Sequence, residues 1–141
     1  MKNTFFSTTL RVRYSETDQM GVVYHGNYLN WFEVGRTEML RALGQDYRTA
    51  EEKGLKLPVL NVRCSFLRPA LYDDMVEIRT RIEKYTGVKL SFQYEICRDG
   101  ELLVTGDSSH CWTNANFKPI HLKKIWQELH ELIQQKTLEG V

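Results

Sequence analysis

The sequence predicts one α+β domain that spans residues 1–141, the whole chain. An apolar stripe at helical spacing follows the first predicted strand, and four segments of alternating apolar and polar residues follow that helix. Short turns join most of these later strands, so we expect them to be antiparallel neighbours. The helix must bury its stripe against the sheet, because nothing else in the chain can cover it.

The first predicted element is a half-buried strand over residues 8–14. Its two sides alternate along the chain, with Thr8, Leu10, Val12 and Tyr14 on one and Thr9, Arg11 and Arg13 on the other. A segment rich in turn-forming residues follows over residues 15–21 and leads to the helix.

A long helix is predicted over residues 28–43, with Asn27 as its N-cap and Gly44 just beyond its C-terminus. Its apolar residues recur at helical spacing: Leu29, Phe32, Met39, Leu40 and Leu43. Gly35 lies near this stripe, where a glycine costs about 1 kcal/mol relative to alanine. A close approach of the helix to another backbone would explain that glycine. A short second helix is predicted over residues 46–53.

The rest of the chain is predicted to be mostly strands. Alternating residues predict strands over 60–66, 76–83, 88–96 and 102–113. The last is the weakest, because Gly106, Asp107 and Ser108 interrupt its pattern. Asp99-Gly100 indicates a hairpin between the last two strands. A C-terminal amphipathic helix is predicted over residues 122–133.

Composition and charge exclude several classes of protein. The hydrophobic fraction of 42%, the aromatic fraction of 11% and the charged fraction of 26% are typical of a globular domain and exclude a disordered or collagen-like chain. The 19 basic and 18 acidic side chains leave a net charge of +1, with no long run of either sign. Because phosphate contacts supply most of the affinity of nucleic-acid-binding proteins, we expect no nucleic-acid partner. A local basic patch for a small anion stays open.

The sequence also predicts a location. No stretch approaches the ~20 apolar residues needed to cross a bilayer, so we expect no membrane insertion. The apolar run within residues 1–7 is too short for a secretory signal. Cys64, Cys97 and Cys111 form an odd set without C-x-x-C spacing, which favours reduced thiols packed as small core residues. These features predict a cytoplasmic protein.

Common nucleotide, hydrolase and metal motifs are absent from the sequence. It contains neither a G-x-x-x-x-G-K-[ST] loop nor G-x-G-x-x-G, and the G-x-S-x-G nucleophile elbow is missing too. The four histidines lack the H-x-x-x-H spacing that places two metal ligands on one helical face. We therefore expect neither a metal site nor a cofactor.

Residues with catalytic potential concentrate just before the long helix, in Asp18 and the run Tyr24-His25-Gly26-Asn27. A helix start offers unpaired backbone N–H groups and a positive dipole end, which stabilise the oxyanion formed when an acyl carbonyl is attacked. Gly26 permits a substrate to approach the backbone closely. Asp18 supplies a carboxylate as nucleophile or general base. The alternative is structural: Asp18 as a turn residue that bonds its own backbone, and His25 as a side chain beside a helix cap.

Residues 14–28 read Y-S-E-T-D-Q-M-G-V-V-Y-H-G-N-Y. This run resembles the signature of the hotdog-fold acyl-CoA thioesterases, closest to the pattern D-x-x-G-V-V-Y-H-x-x-Y of the YbgC branch of the 4-hydroxybenzoyl-CoA thioesterase family. The run G-R-T-E at residues 35–38 resembles the same branch. The resemblance implies a hotdog fold over residues 5–117, an antiparallel sheet wrapped around the long helix. It also implies hydrolysis of acyl-CoA, with the C-terminal helix outside the signature.

The resemblance carries roles over residue by residue. Asp18 matches the family's catalytic aspartate, and His25 matches the helix-start residue whose backbone N–H faces the thioester carbonyl. The imidazole of His25 matches a side chain typical of the branch, where it orients substrate or water, and Gly26 belongs to the same helix start. Tyr14 and Tyr24 match motif aromatics and are substrate-binding candidates, although core packing explains them at least as well.

The resemblance also implies a second protomer. Similar enzymes are homodimers or homotetramers in which one chain's helix start meets a neighbour's strand, so that the site lies at the interface. Three residues of the predicted strand over 60–66 are therefore substrate-binding candidates: Asn61, Arg63 and Ser65. Arg68 and Lys89 are candidates for neutralising the coenzyme A phosphates. The alternative for both is a solvated surface cation.

So sparse a site suits thioester chemistry, because a thiol with a pKa of about 8.5 leaves as thiolate without an obligatory general acid. Two other functions stay open on this fold. One is a hydratase or dehydratase, whose expected D-x-x-x-x-H spacing does not match Asp18 and His25. The other is a protein that binds acyl thioesters without catalysis.

Overall fold

The computed structural model describes residues 5–138, so both ends of the predicted domain, 1–4 and 139–141, lie outside the described residues. The strands within this range are β1 (Phe6–Arg11), β2 (Val59–Phe66), β3 (Met75–Tyr85), β4 (Lys89–Arg98) and β5 (Glu101–Cys111). The α-helices are α1 (Asn27–Ala42), α2 (Tyr47–Glu52), α3 (Leu122–Ile125) and α4 (Gln127–Leu138). A 3-10 turn spans Tyr14–Glu16.

The strands form one antiparallel sheet in the order β1-β3-β4-β5-β2, and α1 packs across one face of it. This arrangement confirms the predicted α+β class. The core lies between α1 and the inner face of the sheet, where alternate residues of β3 and β4 are buried. The opposite, outer face carries the intervening polar residues, as period-two alternation requires.

The short connection between β2 and β3 does not make them neighbours, contrary to the prediction. The crossover segment, residues 67–74, instead leads from one edge of the sheet towards the other and passes the start of α1. Ala70 is held there, because its N–H donates to the Tyr28 hydroxyl at 3.1 Å and its carbonyl accepts from the N–H of Val23 at 2.9 Å.

The first strand ends earlier than predicted, and Tyr14 is not on its buried side. β1 stops at Arg11, and Tyr14 begins the 3-10 turn with 76% of its surface exposed. The chain turns there because the Glu16 carboxylate accepts a hydrogen bond from the Arg13 N–H at 2.8 Å. A side chain that closes a local ring with the backbone competes with continued strand pairing.

The long helix begins one residue earlier than predicted, with Gly26 rather than Asn27 at the N-cap. Asn27 is the first helical residue, and its side-chain amide donates to the Glu16 carbonyl at 2.8 Å. The buried face also differs in part from the predicted stripe. It consists of Tyr28, Trp31, Phe32, Gly35, Met39 and Leu40, whereas Leu29 is 40% exposed.

Gly35 allows α1 to approach the sheet closely, as the sequence predicted, although its nearest neighbours are side chains rather than backbone. A Cβ at Gly35 would overlap the Thr80 hydroxyl and lie 2.8 Å from Cγ2 of Ile78, both on β3. Gly106 likewise allows α1 to pack closely on β5, because a Cβ at Gly106 would lie 2.5 Å from the Phe32 ring. The glycine that weakened the predicted last strand is therefore required by packing, and β5 is continuous.

The edge strand β2 is exposed on both faces, so its predicted apolar side is not buried within this protomer. Leu60 and Phe66 each keep 53% of their surface exposed, and Val62 keeps 38%. The reason is the position of β2 in the sheet, because α1 packs mainly on β3, β1 and β4 rather than on the β2 edge.

The predicted C-terminal helix is interrupted at Trp126, which adopts a non-helical conformation between α3 and α4. Leu122, Leu129 and Ile133 are buried, and α4 packs on β3. Ile125 and Leu132 also lie within the predicted helix, but they are 38% and 42% exposed.

A buried polar chain links α1 to the sheet. The Arg36 guanidinium donates to the Tyr94 hydroxyl at 3.4 Å, that hydroxyl lies 2.5 Å from the Ser108 hydroxyl, and the Ser108 hydroxyl lies 2.7 Å from Nε2 of His110. His110 is fully buried. Burial, helped by the charge of Arg36, lowers the pKa of His110 to about 4.

This depressed pKa predicts a loss of stability in acid. Between about pH 6.5, the ordinary histidine pKa, and about pH 4, the unfolded chain binds the proton that folded His110 excludes. The free energy of unfolding therefore falls as the pH falls through this interval, by at most about 3 kcal/mol from His110.

Urea unfolding at neutral pH and near pH 4 tests this, with His110→Gln as the comparison. Glutamine keeps a partner for Ser108 but does not titrate, so the variant should lose less stability than the wild type between the two pH values. Equal losses in both proteins would contradict the assignment.

Candidate active site

A cavity of about 250 Å³ opens at the start of α1. Three segments that are distant in sequence line it: residues 18–25, the first turn of α1, and residues 66–69 where the crossover begins. Asp18, His25 and Arg68 are its acidic and basic side chains, and the remaining lining is mostly apolar. The structure thus brings three of the residues predicted from the sequence to one place.

The loop that carries Asp18 is a small hairpin. Thr17 pairs with Val23, and the N–H of Asp18 donates to the Val22 carbonyl at 2.9 Å. Gly21 closes the turn in the left-handed region, with φ of 81°, a conformation that favours glycine. The position of Asp18 is therefore set by backbone bonds on both sides of it.

Asp18 fits both roles that the sequence left open, that of a turn residue and that of a catalytic carboxylate. Its Oδ1 accepts from the N–H of Met20 at 2.8 Å, which is the expected turn role. Its other oxygen, Oδ2, accepts no hydrogen bond from residues 5–138, and the half-buried side chain lines the cavity. One oxygen thus orients the carboxylate while the other faces no competing donor.

The start of α1 offers backbone donors beside this carboxylate. The N–H groups of Asn27, Tyr28 and Leu29 donate to the carbonyls of Tyr24, His25 and Gly26, at 2.9, 3.3 and 3.3 Å. The N–H groups of His25 and Gly26 donate to no protein group in the described part of the chain. They are the orphan donors expected at a helix start, where the macrodipole is positive.

Gly26 has a local steric reason as well as the predicted one. Its backbone has ordinary helical angles, so a positive φ does not require glycine. A Cβ there would instead lie 2.9 Å from Cε2 of Tyr24. The Tyr24 ring also packs against the His25 imidazole, with ring centroids 4.5 Å apart. The ring therefore occupies the space that a side chain at position 26 would need.

Aromatic rings form one wall of the cavity. The Phe66 ring lies 6.2 Å from His25 and 5.6 Å from Tyr28, measured between centroids. Burial raises the pKa of Tyr28, whose hydroxyl accepts from the Ala70 N–H. Neither Tyr28 nor Phe66 was predicted as a site residue. Tyr28 is the last residue of the run over 14–28, so the motif could have indicated it. Phe66 belongs to β2 and reaches the cavity only through the tertiary structure.

Arg68 lies at the cavity as an exposed cation. Its guanidinium pairs with Glu101 at 3.3 Å, and the same carboxylate accepts from Arg98 at 3.1 Å. The hydrogen bond from Arg98 to Asp74 raises the pKa of Arg98. Two guanidinium groups therefore share Glu101, and because Arg98 also pairs with Asp74, the charges of this cluster balance beside the cavity.

Other predicted residues lie apart from this cavity within the protomer. Tyr14 is exposed and packs edge-on against Tyr72, with centroids 5.6 Å apart. The side chains of Asn61, Arg63, Ser65 and Lys89 fall on the outer face of the sheet, by alternation with inward-facing residues. Grooves of about 480 and 420 Å³ lie on that face, and Arg63 lines both. Arg63 pairs with Asp107 at 3.1 Å, which raises the pKa of Arg63.

Within residues 5–138, His, Cys, Asp and Glu side chains form no group of three that would hold a metal ion.

Comparison with known proteins identifies the family. A family model described as "Thioesterase superfamily" matches residues 20–105, a range that includes His25, Gly26 and Arg68 and begins just after Asp18. A Bacillus subtilis protein named "Putative acyl-CoA thioesterase YneP" is 43% identical over 123 residues, covering 86% of this chain and 89% of its own. The "Acyl-CoA thioesterase YbgC" of Haemophilus influenzae is 35% identical over 135 residues, covering 94% and 99%.

Solved structures give the same result. A DHNA-CoA thioesterase from Staphylococcus aureus superimposes with a TM-score of 0.90 at 35% identity, covering 97% of this chain and 95% of that one. The chain belongs to the thioesterase superfamily. The hotdog fold and the thioesterase activity expected from residues 14–28 and 35–38 are confirmed.

Proposed function

We propose that the protein hydrolyses acyl-CoA thioesters to a carboxylic acid and coenzyme A, with Asp18 as nucleophile or general base. The backbone N–H groups of His25 and Gly26 stabilise the oxyanion. One observation carries this proposal: within the described residues, the cavity at the start of α1 combines a carboxylate oxygen of Asp18 that has no hydrogen-bond partner with His25, whose backbone N–H has no acceptor, and the unpaired N–H of Gly26 is next in the chain. Similar proteins are named acyl-CoA thioesterases.

The chemistry follows from these groups by either of two routes. As general base, Asp18 takes a proton from water while the oxygen of that water attacks the thioester carbon. As nucleophile, the Asp18 carboxylate attacks the carbon itself and forms an anhydride that water then hydrolyses. In both routes the C–S bond breaks, the thiolate leaves, and the backbone donors stabilise the negative charge on the carbonyl oxygen.

The cavity supports an acyl group that is small or flat. Its apolar lining and volume of about 250 Å³ fit a short, branched or aromatic acyl chain better than a long one. A similar structure from Staphylococcus aureus is named a DHNA-CoA thioesterase. We propose coenzyme A as the thiol carrier, with Arg68 as the residue nearest the cavity that pairs with its phosphates.

We propose a homodimer or homotetramer whose site includes residues of both protomers. The apolar side chains of β2, with Leu60 and Phe66 half exposed at a sheet edge, are the observation behind it. Pairing of two β2 edges would cover them. In such an assembly, residues of one protomer contact substrate in the cavity of its neighbour. We propose this role for Asn61, Arg63, Ser65 and Lys89, which do not line the cavity of their own protomer.

Location is a separate proposal. No helix in the described part of the chain is long and apolar enough to cross a membrane. Cys64, Cys97 and Cys111 are free thiols, and burial raises the pKa of Cys64 to about 11 and also raises that of Cys97. We propose a cytoplasmic location on the basis of these three unpaired cysteines.

Replacement of Asp18 tests the chemistry. Asp18→Asn keeps the shape and the turn bond but removes the basic oxygen, so kcat should fall by at least ~10²-fold on the best substrate of an acyl-CoA panel. Circular dichroism should show an unchanged fold, since asparagine also forms such turns. A folded variant within a factor of about three of wild type would remove Asp18 from the mechanism.

His25→Ala is the matched comparison, because it removes the imidazole but retains the backbone N–H. If that N–H is the oxyanion donor, the variant should lose less kcat than Asp18→Asn. An equal collapse would instead indicate that Asp18 and the imidazole act as a unit.

The phosphate contacts should appear in KM. Arg68→Ala and Lys89→Ala should each raise KM by up to about tenfold with little change in kcat, because these contacts are equal in the ground and transition states. Lys124→Ala, an exposed lysine of α3, is the control. An unchanged KM in either variant would return that residue to a solvated surface role.

The oligomer should depend on β2. Light scattering should show more than one chain at micromolar concentration, and Leu60→Lys should weaken the assembly and lower activity by placing a charge at the covered edge. Leu132→Lys on α4, which is similarly exposed, should change neither. A stable, active wild-type monomer would contradict the proposal.

A further inference from the structure

Glu16 lies at the junction of the segments that form the cavity but is not part of its lining. It is 8% exposed, although a buried carboxylate is unfavourable unless its oxygens are hydrogen-bonded. Both oxygens are satisfied. Oε1 accepts from the Arg13 N–H at 2.8 Å, and Oε2 accepts from the indole N–H of Trp31, also at 2.8 Å. Trp31 belongs to the second turn of α1 and is 1% exposed.

The backbone of Glu16 reaches the same helix at its start. Its carbonyl accepts from the side-chain amide of Asn27 at 2.8 Å and from the N–H of Tyr24 at 2.9 Å. One residue therefore fastens the chain before Asp18 to Tyr24, to the first helical residue and to the buried Trp31. Asp18 follows two residues later, and the unpaired N–H groups of His25 and Gly26 follow Tyr24 directly.

These bonds link the segment before Asp18 to the helix start that carries the proposed oxyanion donors. The backbone hydrogen bonds of the Asp18 loop join residues within the loop or, from Val23 to Ala70, reach the crossover segment, so the placement of the loop relative to α1 depends on residues that contact both. Reacting groups displaced by about 1 Å lose on the order of 10²-fold in rate. A residue that holds this geometry without touching substrate acts through Asp18.

We propose that Glu16 is a positioning residue of the thioesterase site. Through its bond to Trp31, Glu16 holds Asp18 at a fixed position relative to the start of α1; this rests on the proposed function. The bond requires an acceptor at both side-chain oxygens, because the groups that face them are donors only: the backbone N–H of Arg13, its guanidinium 3.7 Å from Oε1, and the indole N–H of Trp31. Glutamine has nearly the same shape but turns an NH₂ donor towards one of them.

Glu16→Gln should therefore lower kcat by about tenfold or more, with a much smaller change in KM. Hydrogen exchange followed by mass spectrometry should show faster exchange over residues 13–27, with β3 and β4 unchanged. Glu52→Gln, an exposed carboxylate at the end of α2, should match wild type in both measurements.

Trp31→Phe provides the second arm, because it removes the indole donor and leaves a buried ring. With that donor absent, the NH₂ of a glutamine at position 16 no longer opposes an N–H. The double variant should therefore lose less activity than the product of the two single losses. If Glu16→Gln does not fold, Trp31→Phe alone breaks the same bond and should show the same local exchange and kcat effects.

The outcomes separate the two proposals. An active wild type with Glu16→Gln and Trp31→Phe also fully active would overturn the role of Glu16 and leave the proposed function intact. Faster exchange throughout the sheet, or strictly multiplicative losses, would overturn it in favour of a merely structural role. A wild type that hydrolyses no acyl-CoA would overturn the proposed function, and the positioning role with it.

Discussion

The close packing of α1 against β3 is the contact on which the rest of the structure depends. Gly35 allows it, since any side chain there would meet Thr80 and Ile78. Gly106 permits the Phe32 ring to lie against β5 in the same way. Two glycines thus set the height of the helix above the sheet. That height determines where the first turn of α1 ends relative to the crossover segment, and the cavity lies between them.

The cavity requires few side chains because backbone bonds hold its walls. Val23 and Tyr28 both bond to Ala70, which joins the loop of Asp18, the helix start and the crossover segment. The donors proposed for the oxyanion are main-chain groups whose direction follows from the helix. A thioester suits such a site, because its leaving group departs without a dedicated acid. This explains why no dense cluster of catalytic side chains accompanies Asp18.

Local patterns in the sequence were sufficient for the fold class and for most elements. The structure buries alternate residues of β3 and β4, as their pattern predicts. It also buries most of the residues that recur at helical spacing in α1. The errors arose where tertiary contacts override local pattern. Glu16 ends β1 early through its bond to Arg13, and the edge position of β2 exposes Leu60 despite perfect alternation. No turn-forming residue in the sequence indicated the break between α3 and α4 at Trp126.

The candidate site was predictable where its residues are close in sequence. Asp18 and His25 lie in one run of motif residues, and the structure places both at the cavity. Phe66 reaches the cavity only through the sheet, so no local signal indicated it. Arg63 and Lys89 lie on the outer face, because alternation directs them away from α1.

The most direct test of the central claim is a crystal structure of the Asp18→Asn variant with an acyl-CoA that the wild type hydrolyses. We expect the thioester carbonyl oxygen to lie about 3 Å from the backbone nitrogen of His25 or Gly26. We also expect the side chain at position 18 to lie within about 3.5 Å of the carbonyl carbon, or one water away from it. A thioester bound against the outer face of the sheet, remote from the start of α1, would contradict this claim.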